Sequence, residues 1–299
     1  MPLQTAPFQA IQESNRGVAV DAGNSGEMVT GPCASMLTLH VSAVASRISY
    51  TIGLCVPHMQ TIDHYSNLTE QRVELMDREN IALQAISNVA AKGMRFLDAG
   101  CGSGVFLRAV AGKLPELALY GIDYSPDELR RASDKLPTAD LRQVDFHKAI
   151  PHSDQSFDVV YSGEVLEHLW DPDLFAAELF RVLKPGGLLV VSTPNLLAWY
   201  NRALMLVGVQ PLFVEFSTQD SNVGVGPLRR FKLQDRPVGH VRIFTKDALV
   251  DLFRLHGFDV QAVRGATFER LPSFVQPLDR LVARASGLAS DLVLIARRP

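Results

Sequence analysis

The feature that most constrains this 299-residue chain is a short apolar run that ends in a glycine cluster and gives way to a helical pattern. Residues 95–99 read as a strand, Gly100-Cys-Gly-Ser-Gly104 as a tight loop, and 105–113 as a helix. Glycine lets a backbone turn sharply and come close to a ligand. The free N–H groups at the start of the helix that follows attract negative charge. Taken alone, the loop suits a plain structural turn, a dinucleotide site or another nucleoside site. The dinucleotide fingerprint is G-x-G-x-x-G; here the third glycine comes one residue early, and Val105 takes the later place.

The rhythm then repeats. Apolar runs recur at 117–122, 141–144, 157–161 and 188–192, with helical patterns at 126–136 and 172–183. A further helical pattern at 68–91 precedes them, with Val73, Met76, Ile81, Leu83, Ile86 and Val89 spaced to share a face. Pro126 and Pro172 sit where a first-turn proline is tolerated. Lys184-Pro-Gly-Gly187 reads as a helix stop and a turn. Strands alternating with helices predict an α/β, doubly wound, Rossmann-like parallel sheet covered on both faces. Residues 196–240 interrupt the alternation with an apolar helical stretch at 196–209 and an irregular segment, the pattern of a lid insertion after the fifth strand. A helix at 245–256 and strands at 258–263 and 289–296 complete the series. Residues 1–60, rich in Ser, Thr, Gly and Ala without persistent periodicity, read as a poorly ordered N-terminal extension to a domain over 61–299. A mis-assigned start, with the domain beginning near Met59, is the plain reading of that extension; a partner-binding arm is the alternative with less support.

Each strand end carries a polar or glycine residue. The second ends at Gly121-Ile-Asp123, where a carboxylate can accept ribose hydroxyls. The third ends at Val144-Asp-Phe146, where Asp145 can accept an exocyclic amine and Phe146 can lie by a base. The fourth ends at Tyr161-Ser-Gly163. Open α/β sheets bind ligands at these carboxyl ends.

The segments FLDAGCGSG (96–104), GIDYSP (121–126), VDF (144–146), FDVVYSGEVLEHLWDP (157–172) and LKPGGLLVVSTPN (183–195) follow one another in order. With GHVRIFTKDALVDLFRLHGF at 239–258, they resemble the class I S-adenosylmethionine-dependent methyltransferases, especially the group that includes ubiquinone-biosynthesis methyltransferases. The resemblance implies a seven-stranded sheet with an antiparallel last strand, and S-adenosylmethionine as cofactor. It places Asp98, Gly100, Cys101 and Gly102 around the methionine portion and Asp123 on the ribose. It also places Tyr124 against the adenine, Asp145 and Phe146 at the adenine edge, and Ser162 and Gly163 near the sulfonium.

Methyl transfer from a sulfonium is an in-line displacement with an activated leaving group, so positioning dominates. A hydroxyl acceptor must also lose a proton. Glu164, Glu167 and His168 are the candidates, and in the first turns of a helix they share one face. Two carboxylates and an imidazole can hold Mg²⁺, Mn²⁺ or Zn²⁺, and His168 can instead act as a metal-free base. The E-x-x-E-H pattern is similar to metal sites of ubiquinone-pathway O-methyltransferases and of small-RNA 2′-O-methyltransferases; His240 resembles a later histidine of the latter. Acidic residues in a helix first turn are also favoured by the dipole alone. Trp199, Tyr200, Leu204, Met205, Leu206, Phe213 and Phe216 can roof an apolar acceptor or simply pack a helix on the domain. Arg229, Arg230 and Lys232 can grip an anionic acceptor or form a solvated loop.

A net charge of -3 gives no support for binding nucleic acid. Three scattered cysteines, no uncharged apolar run of membrane-span length and no basic leader before an apolar run point to a cytoplasmic protein. No feature fixes the oligomeric state. The resulting expectation is methylation of a small-molecule acceptor, with O-methylation ahead of N or C. The rivals are a metal-assisted RNA 2′-O-methyltransferase, an NAD(P)-dependent oxidoreductase on a related fold, and a binding domain that keeps the pocket without catalysis.

Overall fold

The computed structural model describes residues 74–226, 229 and 237–299. The extension expected over 1–60 lies outside the described residues, as do 61–73 of the expected domain. The elements run α1 (Asp77–Ser87), β1 (Arg95–Ala99), α2 (Val105–Lys113), β2 (Ala118–Asp123), α3 (Pro126–Lys135), β3 (Asp140–Gln143) and β4 (Phe157–Gly163). There follow α4 (Pro172–Val182), β5 (Leu183–Pro194), α5 (Trp199–Leu206), α6 (Lys246–Leu255), β6 (Asp259–Ala266), α7 (Gln276–Val282) and β7 (Asp291–Arg297). The strands form one seven-stranded sheet in the order β3-β2-β1-β4-β5-β7-β6. β7 runs antiparallel to β5 and β6, and the other pairings are parallel. This is the doubly wound α/β architecture the sequence predicts.

Strand alternation explains how both faces are buried. Along β5, Leu189 and Val191 enter one core layer with Phe157, Val160 and Phe175, while Leu188 and Val190 enter the other with Phe96, Phe106 and Tyr161. Helix starts follow local chemistry. Ser125 accepts from the N–H of Glu128 ahead of α3, Asp171 from Leu174 ahead of α4, and Thr245 from Ala248 ahead of α6. Pro126 and Pro172 stand in the first turns of α3 and α4, as expected.

Some boundaries differ from the sequence pattern. The helix expected over 68–91 is described from Asp77 to Ser87, because Glu79 caps the N–H of Met76 and the helix has ended by Asn88. β5 begins at Leu183, which pairs with Phe157; 184–187 bulge out, and pairing resumes at Val159 with Leu188. The helix expected over 196–209 shortens to α5, since Asn195 and Asn201 take the N–H groups of Leu197 and Leu212. No helix among the described residues is long and apolar enough to cross a membrane.

Candidate active site

The glycine loop joins β1 to α2 at the carboxyl edge of the sheet. Gly100 has φ +95°, and a Cβ there would lie 2.1 Å from Val165 Cγ2, so only glycine fits. The N–H groups of Gly100 and Cys101 donate to the carbonyl of Ile122, at 2.8 and 3.0 Å. The N–H of Gly102 donates to Asp123 Oδ2 at 2.8 Å, and that of Ser125 to Oδ1 at 2.9 Å. Asp123 therefore ties the end of β2 to the loop, with a lone pair left on each oxygen. Burial raises its pKa, and these backbone donors work against the rise. Burial, followed by the nearby Asp98 and Asp123, raises the Cys101 thiol well above its ordinary value and leaves it inert.

Asp98 is the anomaly of the site. It is 1% exposed, and neither carboxylate oxygen has a hydrogen-bond partner. Burial, then the charges of Glu79 and Asp123, push its pKa well above the usual carboxylate range. At the end of β4 the Ser162 hydroxyl is also buried without a partner. Buried polar groups are ordinarily satisfied. An acceptor and a hydroxyl left open beside a glycine loop match an amino acid moiety with an ammonium group, and the donor set accordingly fits the methionine portion of S-adenosylmethionine. Tyr124, exposed after Asp123, stands where an adenine can be flanked. The ring of Phe146 is buried and packs edge-on against Phe175 in the core. Asp145 accepts from the backbone and ring of His147; despite the opposing effect of partial burial, these and Lys148 hold its pKa low.

The segment after β4 is not the helix expected. Glu164 has φ +56°, and a 3₁₀ turn covers only Leu166–His168. This unusual conformation for a residue with a side chain turns Glu164 toward Arg78 on α1, at 3.4 Å, and toward Ser192 Oγ. Arg78 also pairs with Asp291 at 3.0 Å. Burial works against the Arg78 charge, yet Glu164 and Asp291 outweigh it and raise its pKa. Glu167, His168 and His240 come together: one ligating atom from each lies within 4.8 Å of the others, a set that does not include Glu164. Glu167 is buried; Thr193 donates to its Oε2, and its Oε1 has no hydrogen-bond partner. Burial, then Glu164, raises its pKa. Burial depresses both imidazoles to about 4, helped at His240 by His168. As neutral rings they give Nδ1–H to the carbonyls of Gly239 and Phe213, at 3.1 and 3.0 Å, which leaves each Nε2 as the acceptor.

Sequence reasoning missed what holds His240 there. The Glu215 carboxylate accepts from three successive N–H groups, those of Val238, Gly239 and His240, at 2.8, 2.7 and 3.1 Å. The N–H groups of Val241 and Arg242 donate to the Glu167 carbonyl. Arg78 was likewise missed. Of the expected apolar roof, Tyr200 packs with Leu271 while Trp199 donates to Asp279. Met205, Leu206 and Phe216 stay exposed. Arg229 is engaged by Asp220 at 2.8 Å, and Arg230 and Lys232 lie outside the described residues.

A family described as a methyltransferase domain matches residues 97–191, which include the glycine loop, Asp98, Asp123, Ser162 and the Glu164–Glu167–His168 segment. Residues 97–191 thus match a methyltransferase domain. A probable S-adenosylmethionine-dependent methyltransferase of Mycolicibacterium smegmatis is 36% identical over 118 residues, covering 40% of this chain and 44% of that protein. A ubiquinone biosynthesis O-methyltransferase of Psychrobacter arcticus is 34% identical over 119 residues, covering 38% and 45%. The chain thus spans less than half the length of these curated relatives. Among solved structures, an S-adenosylmethionine-dependent methyltransferase of Methanosarcina mazei superposes with TM-score 0.52 at 22% identity, over 71% of this chain and 96% of that one. The oxidoreductase alternative falls with the family match, in agreement with the early third glycine.

Proposed function

We propose that this chain binds S-adenosylmethionine at the carboxyl ends of β1 to β4 and methylates a hydroxyl of a small-molecule acceptor. The observation that carries the reading is Asp98, a buried carboxylate without a partner beneath the glycine loop. Asp98 would take the cofactor's ammonium group, Asp123 its ribose hydroxyls and Tyr124 one face of its adenine; Ser162 and Gly163 would border the reacting end. The bound cofactor supplies an electrophilic methyl group. The chain's part is to exclude water and align the acceptor. Residues 196–226 and the strap at 237–242 serve as the cover of this cleft. Support for oxygen as the acceptor atom comes from the O-methyltransferase relative and from the proton acceptors gathered at His168.

Calorimetry with S-adenosylhomocysteine tests the reading. Wild type should bind, and Asp123→Ala should bind about tenfold more weakly or worse, the loss of one good charged hydrogen bond. Binding of NAD with indifference to S-adenosylhomocysteine would overturn it.

A second reading concerns the acceptor's proton. Glu167, His168 and His240 offer two imidazole nitrogens and one carboxylate oxygen, three acceptors converging on one point. This set suits Mn²⁺ or Zn²⁺ better than Mg²⁺, which prefers oxygen. A divalent ion there would lower the pKa of an acceptor hydroxyl. Without one, His168 Nε2 is the base, a weak one given its depressed pKa of about 4. Chelation followed by Mn²⁺ or Mg²⁺ should switch activity off and on; full activity after stringent chelation leaves His168 alone as the base.

A further inference from the structure

α7 lies between β6 and β7, and its position in the sheet follows from strand direction. β7 runs antiparallel to both β5 and β6, so β6 ends, and β7 begins, at the edge where β4 and β5 have their carboxyl ends. α7 therefore sits on the same edge of the sheet as the proposed cofactor cleft. The Trp199 Nε1–H to Asp279 bond, at 2.8 Å, fastens α5 to it.

The outer side of this segment exposes apolar side chains next to arginines. Phe274, just before α7, is 84% exposed, and Leu278 and Leu281 are 47% and 60% exposed. Leu278 and Leu281 are three apart, so they share a face. Arg270, Arg280 and Arg284 are exposed around them, and none is ion-paired with another described residue. The only acid of α7, Asp279, is turned inward, where Trp199, Ser290 and the N–H of Phe268 all donate to it. Apolar side chains ringed by cations, with the acid withdrawn, are the pattern of a helix that lies in a lipid interface. Lone exposed apolar residues are commonplace; here three cluster on one short segment, and the three arginines outnumber Glu269, the exposed acid beside Arg270, which accepts from the N–H of Asp77. An acidic protein surface is the alternative occupant, and it would leave the chain unbound to anionic vesicles. A bilayer with anionic headgroups takes both the arginines and Phe274.

We propose that the Phe274–Leu278–Leu281 face, with Arg270, Arg280 and Arg284, docks this chain on an anionic membrane surface and turns the cleft edge of the sheet toward the bilayer. Insertion is shallow, by three side chains, and the chain as a whole carries a net charge of -3. Attachment is therefore local, reversible and salt-sensitive. The inference goes beyond methyl transfer and does not require it. If both hold, the acceptor reaches the cleft from the lipid phase.

The test is sedimentation of the full chain with vesicles of phosphatidylcholine, with and without about one-third phosphatidylglycerol. Wild type should sediment with the anionic vesicles, and about 0.5 M salt should release it. Arg280→Glu/Arg284→Glu and Phe274→Ser/Leu281→Ser should each weaken binding at least about tenfold. Melting temperature and S-adenosylhomocysteine binding should stay at wild-type values in both variants, which separates loss of docking from loss of fold or of the cofactor reading. Failure of wild type to bind anionic vesicles, or variants that bind as wild type does, would overturn the proposal. So would a dimer in sedimentation velocity that the same substitutions abolish while vesicle binding is absent.

Discussion

Asp98 shows how a single residue can disfavour the empty fold and favour the bound one. In the unfolded chain its carboxyl ionises near 3.8; in the folded chain burial, with Glu79 and Asp123 nearby, holds the proton on to much higher pH. Folding therefore takes up a proton above about pH 4, and its cost grows with pH, by at most about 1.4 kcal/mol per pH unit. Asp98→Asn removes that proton uptake. The ligand-free variant should melt above wild type at pH 7.5, and the gap should close as pH falls to about 4. The same substitution removes the counter-charge for an ammonium group, so S-adenosylhomocysteine binding should fall by about 100-fold. Differential scanning fluorimetry and calorimetry read the two effects; a variant that binds like wild type would remove Asp98 from the site. The position of Asp98 near the end of β1, just before the glycine loop, was legible in the sequence. The contact of Phe146 with Phe175, 29 positions away on another element, was not legible.

At the scale of elements, the strand ends were legible and the turn after β4 was not. Glu164, Glu167 and His168 have helical spacing, but a left-handed Glu164 breaks the helix before it starts, and Arg78 and Ser192 hold its side chain. No local pattern announces a partner 86 residues earlier. The strap that carries His240 has the same character. Its placement depends on Glu215, whose carboxylate gathers three N–H groups from a segment more than 20 residues on. Charge-assisted bonds of this kind are stronger than neutral ones. Glu215→Ala leaves three donors without their acceptor, and the strap should loosen while the sheet does not. Hydrogen exchange at 238–240 should quicken by about tenfold or more, equivalent to about 1–3 kcal/mol of local stability, with β5 amides unchanged. Activity should fall alongside, through misplacement of His240. If exchange is the same in the variant and wild type, Glu215 is not the latch.

Across the whole molecule, the doubly wound sheet was legible because hydrophobic alternation and glycine stops are local signals that agree with one another. The charge balance of the interior is global and was not. Buried acids and buried imidazoles make opposite demands on pH. Asp98 and Glu167 hold protons that their unfolded counterparts release, which favours the folded chain toward acid. His168 and His240 do the reverse: their pKa values fall from 6.5 to about 4 on folding. Between those limits the unfolded chain binds protons that the folded chain excludes, so the two rings withdraw stability as pH drops from about 6.5 to about 4, by at most about 1.4 kcal/mol per pH unit each. Above 6.5 both rings are neutral in either state, and the effect vanishes. Total stability mixes these opposing trends, so the prediction is a difference. His168→Gln/His240→Gln should lose less stability than wild type between pH 7.5 and pH 4.5, whatever the offset from altered packing at pH 7.5. Urea unfolding of both proteins at the two pH values, with metal chelated throughout, measures it. Equal losses would mean that the rings titrate in the folded chain as they do when unfolded, and the tautomers assigned to the Gly239 and Phe213 carbonyls would fall with that.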